Sequence, residues 1–289
     1  MLRNYNYVTT GLFIQDDWKL FKKLFLQEGL RLDYQNQYGT FLLPRLAVMY
    51  NFNKDFYVRA AGGLGYKIPN IFSTASEEEG INNILPLASS ITAERSIGSN
   101  LEFNYKTTIG DEIIATFDQS FFITQINHPL ILDTTQFVNE AKPIITSGFE
   151  SEVSLHMDDW KLFAGYTFVD AQRKYFPEQS FVPLTPKHKI VTTLVYENEG
   201  NYEVGFEAFY TSSMYRDGDT RSKSYWLNGL MIQKYFKNVT LVVNCENMFD
   251  QRQTRFENIV IPPFTNPTFR QLYAPIDGRV FNISLRIKL

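Results

Sequence analysis

The sequence has one cysteine, Cys245, so it can form neither an intrachain disulfide nor a cluster of thiolate metal ligands. It has little net charge: −3 over 289 residues leaves no basic footprint for nucleic acid. No run of eighteen apolar residues occurs, which excludes a transmembrane helix but not a spanning strand, whose apolar residues alternate. The opening MLRNYNYVTT lacks the continuous apolar core and small-residue cleavage site of a secretory signal. GxSxG, HExxH, CxxC and the P-loop are also missing, so no enzyme chemistry is expected. The three histidines, His128, His156 and His188, have no metal-ligand spacing, and no metal or cofactor is expected.

Aromatic residues are plentiful at 16%, and so is period-two alternation. LFLQEGLRLDYQ (24–35) sets Leu24, Leu26, Leu30, Leu32 and Tyr34 against Gln27, Arg31 and Asp33. YEVGFEAFYT (202–211) and GFESEVSLHM (148–157) behave alike. The closing FNISLRIKL alternates Phe281, Ile283, Leu285, Ile287 and Leu289 with Asn282, Ser284, Arg286 and Lys288.

About thirteen such segments start near 7, 24, 41, 55, 93, 111, 143, 159, 185, 201, 223, 238 and 277. Each suits the roughly 9–11 residues of a tilted strand crossing a bilayer. Short polar links at 19–23, 51–55, 108–111, 157–159, 197–201 and 236–238 alternate with long irregular ones at 67–92, 127–142, 171–184, 214–222 and 250–276. The link at 36–40 falls on the long-loop side but stays short. Soluble sandwiches usually have shorter strands and no such alternation of loop length. Tyr34, Tyr50, Tyr66, Tyr105, Trp160, Tyr196, Tyr210 and Phe249 gather at strand ends, where interfacial girdles belong. The expectation is an all-β transmembrane barrel wall. Its apolar columns face lipid and its polar columns face the lumen.

Four segments carry a more specific signal: GYKIPNIFS (65–73), AERSIGSNLEFNYK (93–106), VVNCENMFDQRQ (242–253) and DGRVFNISLRIKL (277–289). In this order the chain resembles the C-terminal part of the barrel of TonB-dependent outer-membrane receptors. Those receptors carry G-[YF]-[KR]-x-P, E-R-S, N-x-x-N-[LMI]-F-D and G-R-x-[FVI] segments. The resemblance implies a wall of about 22 strands around an N-terminal plug. It also implies the outer membrane of a Gram-negative bacterium and uptake of scarce nutrients, driven by the TonB system pulling on the plug. Ferric siderophores, haem, cobalamin, glycans and peptides are all substrates within the family.

Residues 1–289 read as a partial barrel domain with no plug, signal peptide or TonB box. An odd, open set of thirteen antiparallel strands would leave two unpaired edges in hydrocarbon. The chain is therefore expected to need the missing N-terminal barrel half and plug. It would be a split or truncated gene product, or the result of a misplaced start at an internal methionine. Its role is expected in uptake of a ferric siderophore or other iron complex. A passive porin-like channel and an inactive receptor fragment are the alternatives.

Ligand contacts are expected on the long loops: Glu77, Glu78, Glu79 and Asn82 in the 67–92 loop, and His128 at the next. Tyr215 and Arg216 follow in the 214–222 loop, with Arg255 and Phe256 in the last. Arg beside Tyr or Phe suits anionic aromatic chelates, through charge-assisted bonds and stacking. On the lumen face, Glu102, Glu150, Glu152, Glu203, Glu207 and Arg286 are expected to contact the plug.

Overall fold

A computed structural model describes residues 5–73, 76, 80–110, 112–178, 180–217 and 220–288. Thirteen strands form one antiparallel sheet: β1 (Thr9–Lys19), β2 (Leu24–Gln35), β3 (Gly39–Asn51), β4 (Phe56–Lys67), β5 (Glu94–Ile109), β6 (Ile113–Asn127), β9 (Ile144–Met157), β10 (Trp160–Arg173), β11 (His188–Asn198), β12 (Tyr202–Thr211), β13 (Tyr225–Tyr235), β14 (Val239–Glu246) and β17 (Val280–Ile287). Neighbours in sequence are neighbours in the sheet. Every strand starts within three residues of its expected position. Two small hairpins lie in the links: β7 (Leu130–Asp133) with β8 (Gln136–Asn139), and β15 (Val260–Ile261) with β16 (Thr268–Phe269). The stretches expected to be irregular at 127–142 and 250–276 are thus partly paired strand. Their short runs were too brief to show a period against Pro, Asn and Thr.

The chain forms two compact units: residues 1–103, 120–148 and 170–181, and residues 104–119, 149–169 and 182–289. In the first, Leu12, Leu32 and Leu42 share one row, and Ile14, Leu30 and Pro44 the next, so apolar columns coincide across β1–β3. Asp33 and Phe41 stand opposite each other on the other face and are buried. Pro44 has no N–H to give, and the β3–β4 ladder ends one residue away at Arg45↔Gly63. Asp16 and Glu28 break the apolar column opposite each other, three and four residues from the ends of their strands. At that depth a lipid-side charge costs about 0–1 kcal/mol rather than the midplane value. In the second unit the same rule places Leu241, Val243 and Cys245 against Leu285, Ile283 and Phe281, and Thr240 and Asn244 against Arg286 and Asn282.

The short links are built as turns. Asn53 caps the backbone N–H groups of Asp55 and Phe56 through its side chain, at 2.8 and 2.9 Å. Asp158, Gly110 and Gly200 supply the positive φ that tight reversals need. At 236–239, Phe236 and Val239 exchange both backbone bonds.

Candidate functional site

The described parts of the long links carry their own folded contacts. In the first unit the 68–93 link and the β7–β8 hairpin share a small core of Ile71, Ile84 and Phe137, packed by Tyr5, Ile81, Leu87, Leu130 and Leu132. Asn139 ties the hairpin base to Thr92 by accepting from the Thr92 backbone at 2.7 Å and donating to its carbonyl at 3.1 Å. Glu94 accepts from the Leu130 backbone N–H at 2.8 Å and faces the Lys67 ammonium at 3.5 Å.

In the second unit the hub is Gln253, which is fully buried. Its amide donates to Glu257 and to the Gln271 carbonyl, both at 3.0 Å, and accepts from the Tyr273 backbone at 2.9 Å. Glu257 holds Arg216 at 2.7 Å, and the Arg216 guanidinium lies 5.4 Å from the Tyr273 ring centre. Asp217 accepts from Gln271 at 3.0 Å. The 212–224 and 247–279 links are thereby sewn together. Burial pushes the Tyr273 phenol above its ordinary value. Asp250 bonds Arg252 at 2.9 Å and also pairs with Arg255. Burial alone would raise the Asp250 carboxyl, but the two guanidinium charges outweigh it and hold it below the usual range.

The four sequence segments that suggested a family turn out to meet in pairs. Lys67 of GYKIP pairs with Glu94 of ERS, and a Cβ on Gly65 would sit 2.6 Å from the Ser96 hydroxyl. Tyr66 stacks on Phe41 at 3.8 Å, and Arg95 lies 4.9 Å from the same ring. Likewise Asp250 of NMFD lies against Gly278 of DGR, and Arg279 donates to the Met248 carbonyl at 2.7 Å. Asn247, with φ 48°, closes the turn by bonding the Gln251 backbone in both directions. Each pair fixes where a long loop leaves and re-enters the sheet.

Of the residues expected to meet ligand, Asn82, His128 and Phe256 are exposed. His128 has φ 52°, and its carbonyl accepts from Asn139 at 2.8 Å. Glu77, Glu78 and Glu79 lie outside the described residues. Arg216 and Arg255 are already paired, and the Tyr215 ring carries Arg221 over it at 4.2 Å. Sequence reasoning missed Gln253 and Glu257 as organisers. A polar residue buried in a loop leaves no periodic trace, although Gln253 closes the quoted VVNCENMFDQRQ segment.

The inner-face carboxylates are spread over the wall. Glu102 accepts from Tyr57 at 2.8 Å and lies 3.9 Å from Arg59. Glu150 accepts from Thr167 at 3.0 Å, and Asp118 from Asn104. Glu203 accepts from Tyr235 at 3.2 Å. Glu207 lies across Gly229, where a Cβ would be 2.6 Å from its Oε1. Glu152 sits beside Gly165, and Arg286 is exposed on β17. No group of metal-ligating side chains occurs among the described residues.

The family described as "TonB dependent receptor-like, beta-barrel" matches residues 2–248. Among solved structures, the siderophore receptor PirA from Acinetobacter baumannii superposes with a TM-score of 0.75 at 16% identity, over 97% of this chain and 46% of that one. The FrpB iron transporter from Neisseria meningitidis gives 0.72 at 16%, over 97% and 44%. The ferric-catecholate import receptor Fiu from E. coli gives 0.71 at 15%, over 97% and 44%. This chain therefore spans less than half the length of the structures it matches. No curated protein matches it in sequence.

Proposed function

Since the chain belongs to the TonB-dependent receptor β-barrel family, a family of non-enzymatic transporters in the outer membrane of Gram-negative bacteria, we propose that it supplies wall and external loops for energy-coupled uptake of an iron complex, a ferric siderophore foremost. The observation that carries this reading is the family match over 2–248 on a thirteen-strand sheet whose long links are themselves folded within each unit. The similar structures named as siderophore or iron receptors support the substrate class.

In this reading residues 1–289 are a portion of the barrel, and the remaining wall and the plug come from elsewhere. The TonB system acts through that plug. The long loops face outward and the short turns face the periplasm. Asn82, His128, Tyr215 and Phe256 meet the nutrient, with Glu77, Glu78 and Glu79 in the same loop as Asn82. Arg216 and Arg255 belong to the same ligand-facing set, each held in place by its carboxylate partner. Glu102, Glu150, Glu152, Glu203, Glu207 and Arg286 face the plug.

The test is the intact mass of the species carrying this chain in outer-membrane fractions, followed by iron-limited uptake. A species more than twice 33.6 kDa that imports a ferric chelate supports the reading. A stably inserted 33.6 kDa species that imports none overturns it.

A further inference from the structure

The row Asp16, Glu28, Leu46 and Gly62 runs straight across β1–β4 on the apolar, lipid-side face. Ser99 of β5 lies beside Gly62, where an added Cβ would stand 3.5 Å from the Ser99 Cβ. Side chains shrink along this row, from Leu46 to a glycine and a serine, while the larger Leu30, Leu64 and Ile97 stand on its long-loop side. The result is a groove of about 840 Å³. Gln15, Gly29, Arg45 and Gly63 form the row between, and their side chains belong to the inner face, so backbone floors the groove. A second hollow of about 670 Å³ shares Leu46, Gly62 and Ser99 with the first and continues over Ala60 to Leu101 and Phe121. From β2 to β6 the two together cross four strand spacings, roughly 19 Å.

This groove is charged at one end. Asp16 and Glu28 face each other directly across β1 and β2, and both are exposed. Like charges in directly opposed positions repel, so a cation between them is favoured. A strand preceding β1 would lie beside Asp16 only, because Glu28 has β1 on one side and β3 on the other. Trp18 lies two residues nearer the short 19–23 link and is half exposed, marking the level at which headgroups begin.

We propose that the groove holds a phospholipid with a primary-amine headgroup, its ammonium between Asp16 and Glu28 and an acyl chain laid over Gly62 and Ser99 toward Leu101. In the orientation proposed above, this end of the wall lies in the periplasmic leaflet, and nothing in the site depends on the iron cargo. A primary ammonium brings N–H donors that can bond both carboxylates at once, each bond assisted by charge. A trimethylammonium headgroup carries the same charge with no N–H to donate. A glycerol headgroup leaves the phosphate's negative charge uncompensated beside two more.

The test is native mass spectrometry of the receptor carrying this chain, purified from outer membranes and exchanged into mixtures of ethanolamine, choline and glycerol phospholipids with identical acyl chains. The last lipid to dissociate is expected to be the ethanolamine one, favoured on the order of tenfold over either rival. Glu28→Gln and Asp16→Asn, both close in shape to the parent residues, should each bring that preference near one. Ser99→Leu fills the groove from an exposed position with a residue suited to lipid, and should weaken retention whatever the headgroup. Cross-linking supplies the location. An ethanolamine lipid with a diazirine in its acyl chain should label residues within 60–64 and 97–101, and the label should fade in Ser99→Leu. Equal retention of the three headgroups, a preference that ignores both carboxylate variants, or label confined to other strands overturns the proposal. These readings need no cargo, so a failed iron-uptake test leaves them unchanged.

Discussion

At the scale of single residues, two positions carry more than their type suggests. Gln253 satisfies several partners with one buried amide, so Gln253→Ala leaves the Tyr273 N–H and the Gln271 carbonyl without it. Each unmet buried group costs about 1–3 kcal/mol. The expected result is protease cleavage within 254–272 at concentrations that spare the parent chain, read by mass spectrometry of the fragments. Gly11 is the second, since a Cβ there would run into the Asp33 carboxylate, which Arg31 and Tyr66 pin from other sides. Gly11→Ala is expected to destabilise by about 1–3 kcal/mol, as overpacking does, seen as a lower unfolding temperature in detergent. Asp250 adds a pH dependence. Its carboxyl is held below the ordinary value near 3.8, so its contribution is present above that pH and is lost as the pH falls through the depressed value. Loop protection against an acid-tolerant protease should hold at pH 5 and decline only below about pH 3.8, and Asp250→Asn should remove the decline.

At the scale of elements, a strand is defined by which of its columns tolerates charge. Ile283 lies in the apolar column of β17 and Ser284 in the polar one, where it faces Val242. Ile283→Arg is expected to cost about 2–4 kcal/mol and to deplete the protein from the outer-membrane fraction, whereas Ser284→Arg should leave its level unchanged. Equal depletion by both would mean the two faces are misassigned. Strand existence and order were legible in the sequence because the period of two runs through ten or more residues in most strands. The β7–β8 hairpin was not, since four-residue strands such as Leu130–Asp133 complete too few periods to stand out. The rim's internal bonds were hidden for a different reason. Arg216 and Arg255 were expected as ligand contacts, and the sequence shows their charge but not the carboxylate that meets each. For Arg216 that partner is Glu257, 41 residues away.

At the scale of the whole molecule, the four family-like segments were read as a string in order, yet their reason is contact across a loop. GYKIP meets ERS, and NMFD meets DGR. Charge reversal tests the first pairing. Lys67→Glu alone should loosen the 68–93 link, and adding Glu94→Lys should restore part of its protease resistance. Recovery is expected to be incomplete, because Glu94 also accepts from the Leu130 backbone, which a lysine cannot replace.

The folding of the long links has a consequence for how antibodies would recognise the cell. In the orientation proposed above, antibodies added to intact cells reach only the long links. Those links hold their shape through partners far apart in the chain, such as Leu85 with Thr135 and Asp217 with Gln271. A synthetic peptide copied from any one loop presents half of each such pair. Immunisation with peptides should yield sera that stain blots and ignore living bacteria, whereas the intact rim should elicit antibodies that bind the living surface and lose their target on boiling.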